Sequence, residues 1–95
     1  MEAVKAYDLN LQLRQVRELR QALELKLGEL DRAEELIKSG GGRRLFRAFS
    51  DIIVEVTKDE AIEHIERTRL LYKSEIERLR KREEELTEEL SKLRV

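Results

Sequence analysis

The chain has no cysteine, no proline, no tryptophan and one histidine, and only 4% of its 95 residues are aromatic. Without cysteine there can be no disulfide, no thiol nucleophile and no thiolate metal site. So few aromatics beside 43% charged residues argue against a thick globular core and fit long exposed helices. Twenty basic residues balance 21 acidic ones, so no net positive field exists to hold nucleic acid. No apolar run approaches the roughly 20 residues that span a bilayer. The N-terminus shows no signal-peptide apolar core, and a cytoplasmic location is expected.

Catalytic chemistry is equally thin. His64 lies off the helical seam described below and reads as a surface residue rather than a base or ligand. Gly40-Gly41-Gly42-Arg43 lacks the Gly-Lys-Ser/Thr ending of a phosphate loop and does not follow a strand. The runs Glu83-Glu84-Glu85 and Glu88-Glu89 read as solvated helix faces without metal-ligand spacing. We therefore expect no enzyme activity, no cofactor and no metal.

What is present is a heptad pattern, twice. Residues 3–39 carry an apolar seam at spacings of three and four: Ala6, Leu9, Leu13, Val16, Leu23, Leu27, Leu30 and Ile37, interrupted at a positions by Arg20 and Glu34. Residues 58–94 repeat it with Ile62, Ile65, Tyr72, Ile76, Leu79, Leu86, Leu90 and Leu93, interrupted at a by Arg69 and Glu83. The first helix is expected to end at Ser39-Gly40-Gly41-Gly42. Thr57 and Glu60 form a capping-box signal for the second. Folded back on each other, the arms set Leu13 against Leu86 and Leu9 against Leu90. That register puts Arg20 in the layer next to Glu83 and Glu34 next to Arg69. The one-heptad slip that brings Leu13 against Leu79 keeps most apolar matches but loses the opposite charges. Arg20, Glu34, Arg69 and Glu83 thus read as register markers.

The middle breaks the pattern. Residues 44–57 contain both phenylalanines and read as a β-hairpin, Leu45–Phe49 and Ile52–Val56 joined at Ser50-Asp51. Both faces carry apolar weight and both edges are open, and a lone hairpin is marginal in water. Leu45, Phe46, Ala48, Phe49, Ile52, Ile53, Val54 and Val56 are therefore expected to mediate assembly. The fold class is mainly α, one domain over 1–95. An antiparallel two-helix coiled coil carries a β-hairpin between its helices, and the hairpins of several chains are expected to join as a sheet or barrel.

This helix–hairpin–helix order resembles the prefoldin β-type subunit, archaeal-like. The island Leu45-Phe46-Arg47-Ala48-Phe49-Ser50-Asp51-Ile52-Ile53-Val54 and the start Lys58-Asp59-Glu60-Ala61 carry the resemblance. Ser50 stands where that family usually has Gly. The Gln-rich, Pro-containing N-terminus common in the family is missing. The resemblance implies a co-chaperone without ATP use of its own. It would assemble as a hexamer from copies of itself and an α-type subunit, with the hairpins building an oligomeric β-barrel platform, hold unfolded clients at its coiled-coil tips, and deliver them to a group II chaperonin. The abundance of Glu, Lys and Arg also fits a thermophile.

The family places client contact at the free ends of the arms. There, Val4, Tyr7 and Leu11 share the back of the first helix, with Met1 extending the patch, and Leu90, Leu93 and Val95 close the second arm. These seven are the expected client-binding tip. Leu19, Leu25, Leu36, Leu70 and Leu71 also lie off the seam and read as scattered surface residues. The alternative is a structural coiled-coil adaptor that binds one specific folded partner through its hairpin.

Overall fold

A computed structural model describes residues 1–40 and 43–93. Two helices, α1 (Glu2–Ser39) and α2 (Lys58–Ser91), flank two strands, β1 (Leu45–Phe49) and β2 (Ile52–Val56). The helices pack antiparallel into a rod of 62 × 25 × 15 Å, so the hairpin crowns one end and both termini lie at the other. The expected hairpin strands and turn are all present. Helix α1 starts one residue earlier than expected and α2 stops at Ser91.

The seam is where the heptads place it. The buried residues Leu9, Leu13, Ile65, Ile76, Leu79 and Leu86 are all a or d positions. Every other seam member, the four charged ones included, is half-buried. A strip two side chains wide is all that two helices can bury between them. Packing is densest near the free ends, where Leu86, with no exposed surface, meets Leu9 and Leu13, and Val16, Leu90 and Leu93 close around them.

The ends of the helices follow from local chemistry. Gly40 caps α1 with an ordinary φ of −89°, so its need for glycine is one of space. A Cβ there would lie 2.8 Å from the Leu36 carbonyl oxygen. At the start of α2 the Glu60 amide donates to the Thr57 hydroxyl at 3.1 Å. That hydroxyl in turn donates to the Glu60 carboxylate at 3.0 Å, so the glutamate returns to the side chain of the cap rather than to its backbone.

The strands pair antiparallel with Leu45 opposite Val56, Arg47 opposite Val54 and Phe49 opposite Ile52 on one face, and Phe46 opposite Glu55 and Ala48 opposite Ile53 on the other. At the turn Ser50 has φ 54°, the left-handed conformation that glycine takes without penalty. Asp51 does not share it, so the turn is not of the type that needs positive φ at both central residues. The serine occupies a glycine's conformation at a cost of about 1–2 kcal/mol. Ser50→Gly should therefore stabilise the folded protein. The entropy lost by a freer unfolded chain offsets part of the gain, leaving a net of about 0.5–1 kcal/mol. Thermal denaturation will check this: Tm should rise for Ser50→Gly and fall for Ser50→Val.

Candidate functional sites: an assembly face, a register lock and a free tip

The hairpin cannot bury its own apolar side chains. Leu45, Arg47 and Val56 share one face and are half-buried at its base, where β1 leans on α2. Phe46, Phe49, Ile52, Ile53 and Val54 remain between 43% and 70% exposed, and Ala48 is exposed too. The residues expected to mediate assembly thus form two apolar faces on one ribbon. Arginines cover part of them: the Arg44 guanidinium lies 5.3 Å from the Phe46 ring centre and that of Arg47 4.3 Å from Phe49. Arg44 also binds Glu55 through two hydrogen bonds, of 3.0 and 3.1 Å. Five exposed large apolar residues within one hairpin are what an interaction surface looks like before its partner arrives.

Beneath the hairpin, His64 is half-buried rather than on the open surface. Burial, with the cations of Arg47 and Arg67, pulls its pKa below the ordinary value. Its carbonyl accepts a 2.8 Å hydrogen bond from the Thr68 hydroxyl. Among the described residues no group of three or more His, Cys, Asp or Glu is placed to hold a metal ion. No helix there is long and apolar enough to cross a membrane.

The four charged seam residues meet as opposite pairs. Arg20 donates to Glu83 from Nε at 2.5 Å and from Nη2 at 3.2 Å. Arg69 reaches Glu34 at 3.3 Å. Each pair is the centre of a larger cluster. Arg17 adds a contact to Glu83 at 3.3 Å, and Glu24 bridges Arg20 at 3.2 Å and Arg80 at 2.8 Å. Asp31 bonds Arg69 at 3.0 Å. Reading a and d positions alone misses Arg17, Glu24, Asp31 and Arg80. All four occupy e, the position that flanks the seam, and that was the available signal. The hydrogen bond from Arg80, reinforced by Arg20, holds the Glu24 carboxyl below the usual carboxylate range, and Arg44 does the same for Glu55. Such groups favour the folded state at neutral pH and lose that contribution as the pH falls through their folded values.

At the free end, Met1, Val4 and Tyr7 are 91%, 56% and 68% exposed. Leu11 is half-buried and borders a shallow depression with Tyr7, Asn10 and Arg14. Leu90 and Leu93 are half-buried against the Leu9–Leu13–Leu86 cluster. Val95 lies outside the described residues. The outer face of α1 therefore supplies the open part of the tip, while Leu90 at the end of α2 and Leu93 just beyond it face inward.

If the charged pairs set the register, reversing one charge should hurt more than reversing both. Arg20→Glu and Glu83→Arg should each lower Tm. The double swap should recover part of the loss, incompletely because Arg17 also faces position 83. Equal losses for the double and for the summed singles would remove the pair's role.

A model of the prefoldin subunit family matches residues 1–95. Among solved structures the chain is similar to the prefoldin β2 subunit from Thermococcus strain KS-1. The two are 66% identical, the match covers 98% of this chain and 100% of that one, and the TM-score is 0.89. A comparison with curated proteins finds no match.

Proposed function

Since the chain belongs to the prefoldin subunit family, on its β-type side, we propose that it works as an ATP-independent holding chaperone. In this reading, assembly with other prefoldin subunits joins the hairpins into a β-barrel platform, a hexamer of copies of this chain with an α-type partner. The free arm tips bind unfolded cytoplasmic proteins and release them to a group II chaperonin. No bond is made or broken, and the work is done by apolar surface offered and withdrawn.

The observation that carries this reading is the separation of two exposed apolar surfaces along one rod. Phe46, Phe49, Ile52, Ile53 and Val54 are at one end, and Met1, Val4 and Tyr7 are at the other. A rod that sticks by one end and is wettable along its length presents its other end at a fixed distance. Several such rods on one platform enclose a space lined by tips. Weak, adaptable apolar contacts suit clients with no fixed shape, because nothing in them demands a particular partner geometry.

Two experiments test the two ends separately. Mixed with an α-type partner, the protein should suppress aggregation of a chemically denatured enzyme, followed by light scattering. The Val4→Ser, Tyr7→Ser, Leu11→Ser variant should lose most of that suppression with its native mass unchanged. Full suppression by the triple variant would move client contact elsewhere. At the other end, Phe46→Ser or Ile53→Ser should dissociate the assembly in sedimentation velocity while circular dichroism still reports the helices. An intact oligomer in both would take assembly away from the hairpin. No suppression by the wild-type assembly would favour the adaptor alternative.

A further inference from the structure

A groove of about 340 Å³ opens at the root of the hairpin, where the end of α1, the base of both strands and the first residue of α2 converge. Its floor is aliphatic. Leu36 is 63% exposed, although it lies off the seam, and Ile37, Leu45 and Val56 are half-buried beside it. Its rim is cationic. Arg43 and Lys58 stand on it, both exposed, and neither has an ion pair or side-chain hydrogen bond among the described residues. Arg44 and Glu55 also line it, but they satisfy each other. The net charge left for a visitor is therefore positive. The Arg43 side chain lies close over Gly40, where an added Cβ would be 3.4 Å from its Cδ.

We propose that this groove is a docking site for an extended acidic peptide segment of a partner protein, one that alternates aliphatic and carboxylate side chains. The argument is charge complementarity around an apolar floor. An aliphatic side chain seated over Leu36 and Val56 removes apolar surface from water. Carboxylates on either side of it meet the unpaired cations of Arg43 and Lys58. A basic segment would face those cations without compensation, so the groove selects by charge as well as by fit. The site is at the opposite end of the rod from the tip and does not depend on client holding there. It explains Leu36, which the heptad pattern leaves as an unassigned surface leucine.

The probe is a fluorescently labelled, terminally capped peptide of sequence Glu-Leu-Glu-Leu-Glu, with Lys-Leu-Lys-Leu-Lys as its control, titrated by anisotropy against the full-length protein in its assembled form. The acidic peptide should bind, the basic one should not, and added salt should weaken the binding. Arg43→Glu with Lys58→Glu should weaken it by at least about tenfold, since like charges would now face each other. That variant keeps Thr57 as its cap and gains an acidic residue at the start of α2, which helices favour, so the fold should persist. Leu36→Ser should weaken binding while leaving the salt dependence in place. Equal binding of both peptides, or unchanged binding by the charge-reversed protein with helicity and native mass intact, would overturn the proposal. So would binding only to dissociated protein carrying Phe46→Ser, because a second copy of the chain would then be what fills the groove.

Discussion

Two helices laid side by side can hide only one stripe each, and the rest of this structure depends on that limit. Six buried side chains serve all the described residues. A core this thin cannot also cover a hairpin, so the apolar side chains of the hairpin stay outside, open to other chains. The same limit leaves the flanks of the rod largely charged, broken only by scattered exposed leucines such as Leu19, Leu25, Leu70 and Leu71. An exposed apolar hairpin at one end and an open tip at the other both follow from a molecule with too little interior for its length.

The thin seam creates a second problem, solved by the charged a positions. An apolar stripe with a seven-residue repeat fits its partner nearly as well after sliding one heptad. Arg20 with Glu83 and Arg69 with Glu34 are placed to make the slide that brings Leu13 against Leu79 costly, because it would part both pairs and set Arg69 in the layer next to Arg20. Such pairs need not add much stability over apolar residues of the same size. Their value lies in making one alignment better than its neighbours. Alignment fixes where the hairpin sits relative to the ends of the arms, and hence the geometry of any assembly built from it.

Much of this was written in the chain. The seam, the two strands, the turn position, the cap at Thr57 and the pairing of opposite charges all come from short-range spacing, which sequence states directly. What spacing does not state is how side chains behave once the helices meet. The e-position partners Arg17, Glu24, Asp31 and Arg80 appear only when the flanks of the seam come together. Leu11 sits on the outer face by its heptad letter yet is half-buried beside Tyr7. His64 is drawn under the hairpin because β1 leans over α2. The turn at Ser50 was legible as a turn. That a serine takes the backbone shape of a glycine there is not stated by the serine itself, only hinted at by the glycine the family usually has at that place, because side-chain type records preference and the rest of the hairpin can override it.

The distribution of packing along the rod bears on how the tip works. One picture of a client-binding end is a frayed coil whose seam leucines swing outward. Here the tightest part of the seam is the free end, where Leu86 is sealed by Leu9, Leu13, Leu90 and Leu93. Opening it would expose a cluster whose members are each worth about 1.5–3 kcal/mol of burial, a large penalty for weak and repeated binding. The exposed Met1, Val4 and Tyr7 carry no such penalty, because they are already in water and lie on the outer surface of a helix that the cluster holds rigid. A client that covers them gains apolar burial without unfolding anything. On these energetics, the proposed tip would grip with the back of α1, with Leu90 and Leu93 as its support.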